Sequence, residues 1–163
     1  MDFLTNVQSS IEQMRFIIQS DPEIRKLLYH DFPEALESEV DVSFEDVNGR
    51  VEHLGIFDVT KPPFNKNTFI TLTLTNSFAD ENFWTNLIRI NILTRSELWP
   101  LKKGKIRTLE IARRILLILN SKKLSTSQIP FASSLEFMVV NDNIQGYYII
   151  FDLIEGDALD DNF

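Results

Sequence analysis

Cysteine is absent from the 163 residues, so the fold can use no disulfide and no thiolate metal site, and a cytoplasmic setting is expected. Histidine occurs only as His30 and His53, which limits imidazole chemistry to two positions. The five glycines are scattered singly, so there is no Gly-rich loop to cradle a phosphate. GxSxG, HExxH and paired CxxC motifs are missing as well. No apolar run approaches the roughly 18 residues needed to cross a bilayer. Asp2 with no basic flank predicts no secretion signal. What remains is an ordinary globular composition, 44% hydrophobic and 25% charged. The length fits a single domain over 1–163 with a core of its own.

The net charge of −8 is unevenly placed. Residues 1–60 carry a net of −9, residues 61–123 a net of +8, and residues 124–163 a net of −7. Acidic ends and a basic middle can balance within one compact fold, or they can draw copies of the chain together, basic face to acidic face. Overall acidity disfavours tight binding to nucleic acid. The basic set Lys102, Lys103, Lys105, Arg107, Arg113 and Arg114 has no interleaved aromatic platform on which bases could stack. It reads as a solvated helix face or a patch that meets a partner.

The patterning is clearest from Leu87 to Asn120. Ile88, Ile90 and Ile92 alternate with Arg89 and Asn91, the period of a half-buried strand. From Lys105 to Asn120 the period becomes helical, with Leu109, Ala112, Leu116 and Leu119 on one side, flanked by Ile111, Ile115 and Ile118, and Arg107, Glu110, Arg113 and Arg114 opposite. Upstream, Phe3, Val7, Ile11, Met14 and Ile18 predict an amphipathic helix, which Asp2 could cap. Ser20-Asp21-Pro22-Glu23 predicts a second helix start, with Ile24, Leu27 and Leu28 inward, ended by Phe32-Pro33. The acidic stretch Glu34 to Asp46 predicts a solvated segment with a short strand at Val40–Phe44, and Asn48-Gly49 a hairpin turn.

Val51 to Val59 and Phe69 to Thr75 predict strands, the latter with Ile70, Leu72 and Leu74 on one face. A long loop, Asn76 to Asn86, is expected before the Leu87 strand, and another from Leu124 to Ala132. Leu135–Val140 and Tyr147–Ile154 read as two strands around a turn at Asn141-Asp142-Asn143. The fold class is therefore α+β: a mostly antiparallel sheet of four or five strands, a long central helix on one face, and N-terminal helices. Residues 1–46 form a helical, acidic extension, 50–155 the core, and 156–163 an acidic flexible tail.

Neither histidine pattern predicts catalysis; His30 lies near a helix end, where histidine is at ease without a chemical role. Asn141, Asn143, Gln145, Gly146 and Asp152 imitate calcium-loop spacing, but the last position lies in an alternating strand and no helix follows. No metal, cofactor or enzymatic activity is expected. The loop aromatics Phe78, Phe83, Trp84, Trp99 and Phe131 are read as candidate subunit contacts, together with Lys102, Lys103, Arg113 and Arg114.

From Phe69 to Leu153 the order of strand, loop, strand, Trp99-Pro100 loop with Gly104, helix and closing hairpin resembles the tail terminator (tail completion) and neck-ring proteins of long-tailed bacteriophages. The resemblance implies a structural virion protein that forms a homo-oligomeric ring, commonly a hexamer, on the end of the tail tube. Tail tube protein and neck or connector proteins would be its partners, and DNA would pass through the lumen without specific binding. A connector ring beside the portal, with twelve copies, belongs to the same class. A cytoplasmic regulatory or ligand-binding domain is the reading from a different class.

Overall fold

The computed structural model describes residues 3–54, 66–79 and 84–155. Its elements run α1 (Phe3–Ser20), α2 (Pro22–Tyr29), β1 (Val51–His53), β2 (Thr68–Ala79), β3 (Trp84–Arg95), α3 (Arg107–Leu119), β4 (Gln128–Asn141) and β5 (Ile144–Glu155). The architecture is α+β. One five-stranded sheet has the order β1-β2-β3-β5-β4, with β1 parallel to β2 and every other pair antiparallel. The single parallel pair makes the sheet mixed; the segment between β1 and β2 has the length that a crossover needs.

The three helices and the sheet share one core. Val7, Ile11, Met14 and Ile18 of α1 are buried, as are Ile24, Leu27 and Leu28 of α2, against the row Ile70, Leu72, Ile88, Ile90 and Ile92. The alternation in β3 thus does what its period requires: the isoleucines go under the helices and Arg89 and Asn91 go to the other face. A smaller cluster of Phe69, Leu93 and Ile144, with Met138 and Val140, sits on that other face.

Asp21 caps α2 as expected, its side chain accepting from the Ile24 amide at 3.0 Å with Pro22 in the first turn. The helix ends at Tyr29, a turn earlier than Phe32-Pro33. α3 is buried chiefly through Thr108, Ile111, Ala112, Ile115 and Leu119, whereas Leu109 and Leu116 are half-buried at its flank. Its inward face is therefore rotated from the one that Leu109 and Leu116 suggest.

Several boundaries differ. Val40–Phe44 forms no strand; the acidic segment holds two short 3-10 turns, Ala35–Glu37 and Glu45–Val47, and is tied to α2 instead. Lys26 Nζ donates to the Ser38 carbonyl at 2.6 Å and Arg25 Nε to the Val42 carbonyl at 2.7 Å. Those bonds take up carbonyls that a strand partner would otherwise hold. Asn48-Gly49 consequently closes no hairpin, although Gly49 does take a positive φ of 75°. β1 is described only to His53, and the remaining predicted strand residues through Val59 lie mainly outside the described residues.

The expected loop from Asn76 to Asn86 is mostly strand. β2 and β3 stay paired from Leu74↔Ile88 to Ala79↔Trp84, past a bulge between Leu74 and Asn76. β4 likewise begins at Gln128, so Pro130 and Phe131 are strand residues rather than loop residues. An edge strand tolerates a proline because one side of it owes no ladder hydrogen bond.

Candidate functional site

β4 and α3 together build an exposed apolar surface. β4 is a sheet edge, hydrogen-bonded to β5 on one side and to no strand among the described residues on the other. Its sequence alternates, and the register puts Leu135 beside Ile149 and Phe137 beside Tyr147, on the helix-covered face. β4 reaches past the helices, however, so Leu135, Phe137 and Val139 remain exposed, Phe137 at 52%. Between this strand and α3 runs an open groove of about 430 Å³, lined by Leu109, Ala112, Leu116, Leu117 and Leu135 with Arg113 and Asn120 at its margin. Bulges at Ala132/Ser134 and Val139/Asn141 bracket the regular stretch, which carries one charge, Glu136. An exposed apolar edge of this length is a surface that soluble proteins ordinarily blunt with lysine, proline or a cover.

Farther along β4, Phe137 belongs to a packed aromatic group. The Trp99 ring stacks on Tyr147 with centroids 5.9 Å apart and meets Phe137 edge-on at 6.1 Å; Phe137 and Tyr147 are themselves 5.6 Å apart. Trp99 thus spends much of its surface inside its own chain. The loop carrying it is held by Arg107 N–H donating to the Trp99 carbonyl at 2.9 Å and by a bridge between Pro100 and Ile106.

The charges sequence reasoning grouped together do not form one outward patch. Arg107 is fully buried. Its guanidinium donates to four backbone carbonyls: Leu98 at 2.9 Å, Leu27 and His30 at 2.7 Å, and Phe32 at 3.1 Å. Burial lowers its pKa, an effect opposed by nearby Asp31. Arg114 pairs with Asp21 and also reaches Glu23 at 3.4 Å; the hydrogen bond to Asp21 raises its pKa. Arg113 meets Glu110 at 3.1 Å and Glu23 at 3.4 Å, and Lys102 meets Glu34 at 3.1 Å. Much of the acidic-versus-basic imbalance along the chain is therefore neutralised within the fold. Lys103 is exposed at the tip of a 3-10 turn, in a left-handed conformation with φ of 62°.

The expected aromatic contacts also separate. Phe78 is 51% exposed, but on strand β2 rather than in a loop. Trp84 opens β3 opposite Ala79, and Phe83 lies outside the described residues. Phe131 is half-buried on β4, opposite Asp152 and on the face away from the helices. Of the nine expected contact residues, Trp99 and Arg113 border the apolar surface. Leu117, Leu135, Phe137 and Val139 form its body; the signal for the last three was alternation in a strand with no residue to shield its edge.

The opposite face of the sheet carries a polar group beside the Phe69, Leu93 and Ile144 cluster. Arg89 lies 3.9 Å over the Tyr148 ring and donates through Nε to Asn91 at 2.8 Å, while Asn91 donates to Thr71 at 3.0 Å. Tyr148 donates its phenolic hydrogen to Glu136, which raises the Tyr148 pKa. His30 is buried between Tyr29 and Phe32, and His53 lies 3.1 Å from Glu12. These histidines are far apart in use: one is a packing ring behind α2, the other a surface ring hydrogen-bonded to Glu12. Among the described residues no group of three or more His, Asp or Glu could hold a metal ion. No helix among them is long and apolar enough to cross a membrane.

A comparison with curated proteins finds no match. The family YomW, named after a phage-type gene product of a Bacillus SPbeta-like prophage, matches residues 21–153, a span that takes in α2, α3 and nearly all of the sheet. By that match the chain belongs to the YomW family and is a phage-related protein.

Proposed function

We propose that the protein is a structural component of a tailed-phage virion: a homo-oligomeric ring at the head–tail junction that terminates the tail tube and joins it to the connector. The observation that carries this reading is the exposed apolar surface of β4 and α3 on a member of a phage-type family. A monomer that leaves Leu117, Leu135, Phe137 and Val139 in water holds a surface suited to a protein partner. On this reading the chain acts as a scaffold through its binding surface rather than through chemistry. No cofactor takes part. In the ring, the excess of acid over base repels the DNA that slides through the lumen. The tail tube protein meets one face of the ring and neck proteins the other, and the protein resides in the virion after assembly in the host cytoplasm.

The connector ring beside the portal, with twelve copies, is a variant of this reading. The reading from another class, a ligand-binding domain, draws on the same groove between α3 and β4. Native mass at two salt concentrations, with electron microscopy of the sample alone and with tail tubes, separates the three. Six copies, or a monomer that joins a ring on the tube end, supports a terminator; twelve copies supports a connector. A monomer that never enters a ring or a virion part overturns both.

A further inference from the structure

The groove between α3 and β4 opens at Asn120, near the point where β5 ends. Glu155, the last residue of β5, lies opposite Gln128 at the start of β4. On the far side of Gln128 runs the turn that joins α3 to β4. There the Leu124 amide donates to the Gln128 carbonyl and the Ser121 amide to the Pro130 carbonyl, both at 2.8 Å. Asn120 accepts from the Ala132 amide at 2.8 Å and borders the groove with Leu117 and Leu135. From Glu155 the groove mouth is thus two strand spacings sideways, about 10 Å, and four residues along β4, about 13 Å.

The next eight residues are Gly156-Asp157-Ala158-Leu159-Asp160-Asp161-Asn162-Phe163. This is the segment expected to be an acidic flexible tail, and it lies outside the described residues. Extended, it reaches about 26 Å, past Asn120 to Leu117 and Leu135. It holds three carboxylates, no cation and two large apolar side chains, Leu159 and Phe163. On the way stand Lys122 and Lys123, both exposed and neither in an ion pair with another described residue. The inner side of the turn is taken by α1, whose Ser10 bonds Thr126 and Gln128 at 2.6 Å and whose Gln13 accepts from the Ser125 amide at 2.9 Å. A segment leaving Glu155 has the outer side of the turn open to it.

We infer that Gly156–Phe163 is the occupant of the α3/β4 groove in the unassembled chain: Asp160 and Asp161 meet Lys122 and Lys123, and Leu159 and Phe163 cover the apolar floor at Leu117 and Leu135. Reach and charge both select this segment. It is tethered beside the groove, so its effective concentration there is on the order of millimolar before any contact forms. Acidic residues on exposed lysines fix its direction, and burial of two apolar side chains holds it. Such a contact is weak enough for a partner strand or helix to displace. The apolar edge is then guarded until assembly, as exposed strand edges usually are. This goes beyond the ring reading and holds for the isolated chain, whatever it assembles with.

Amide hydrogen exchange on the full, unassembled chain tests it. Leu159→Ser with Phe163→Ser removes both anchors and leaves every described residue in place. Amides of Leu116–Asn120 and Leu135–Val139 should then exchange roughly fivefold faster or more, with those of β3 unchanged. Lys122→Glu with Lys123→Glu should accelerate the same amides, and adding Asp160→Lys with Asp161→Lys should reverse the effect. Unchanged exchange at the groove in the anchor variant overturns the cover. Acceleration spread evenly over α1 and the sheet overturns it too, since the segment would then support the whole fold. Groove protection that falls when the wild type is diluted overturns the contact within one chain in favour of one between copies. Ring formation is read separately, by native mass and microscopy, so either idea can fail while the other stands.

Discussion

Arg107 Nη1 donates to the carbonyl oxygen of His30 at 2.7 Å, joining the first turn of α3 to the residue that ends α2. The same nitrogen donates to Leu27 O at 2.7 Å, and Nη2 to Phe32 O at 3.1 Å. A helix leaves its last carbonyls unpaired, and its C-terminal end carries partial negative charge. Arg107 answers both needs at once and fixes how α2 meets α3. Arg107→Lys keeps the charge but cannot reach several carbonyls with a planar fork. It should cost roughly 2–4 kcal/mol, because buried carbonyls lose charged partners. Arg107→Met should cost at least as much. Urea denaturation followed by circular dichroism measures both; a midpoint unchanged in either variant would show that water replaces the guanidinium without loss.

Asp21 serves two partners, the Ile24 amide at 3.0 Å and Arg114. Asp21→Ala should cost roughly 1–2 kcal/mol, the usual range for a lost helix cap. Asp21→Asn keeps a capping oxygen and should recover part of that. In a double-mutant cycle, Asp21→Ala and Arg114→Ala should be less than additive, since each removes the same ion pair. Additive losses would show that the pair contributes nothing beyond the cap. Reversing the charge of Arg114 is consequently a perturbation of the monomer, and assembly is better tested at exposed positions such as Lys122.

Acid should weaken the fold through Glu34 and Asp46. The Lys102 ammonium hydrogen-bonded to Glu34 lowers its pKa from the ordinary 4.5, and the Ser43 amide at 2.8 Å lowers that of Asp46 from 3.8. A carboxyl with a depressed folded pKa contributes stability that is present above its unfolded pKa and is lost as pH falls through the folded one. Thermal midpoints should therefore drop as pH goes below these ordinary values. Glu34→Gln and Asp46→Asn should each flatten that acid-side slope. Parallel pH profiles for wild type and both variants would assign acid sensitivity to other groups.

Periodicity reached the parts of this fold that depend on one face being wet and one dry. The alternation in β3 and the cap and apolar stripe of α2 are local patterns, and they appear where those patterns place them. What periodicity missed depends on neighbours. Arg107 reads as a surface residue because arginine rarely enters a core; it does so here because another helix ends beside it. Asn76, Ser77 and Pro130 read as loop residues by type, yet long hairpin pairing and a free strand edge accept them. The aromatic residues were legible as candidate contacts but not as packed ones: nothing near Trp99 in sequence announces Phe137 and Tyr147 beneath it. The apolar edge was legible as alternation, while its exposure required knowing that β4 lies outermost.

Gly146 tests how tightly the sheet is closed beside that edge. It sits in β5 between Leu93 of β3 and Met138 of β4. A Cβ built there would lie 1.8 Å from the Ile92 carbonyl oxygen and 2.9 Å from its carbon. Both obstacles are backbone, so no side-chain rotation relieves them, and β3 and β5 would have to separate. Overpacking of this kind costs about 1–3 kcal/mol, and Gly146→Ala should fall at or above the upper end because a ladder between central strands is strained as well. Chemical denaturation gives the stability. Hydrogen exchange gives the location: amides of β3 and β5 near Leu93 and Gly146 should lose protection more than those of α1. Uniform loss across the chain would mean that the sheet adjusts as a whole; an unchanged midpoint would mean that the strands are not in the close contact described.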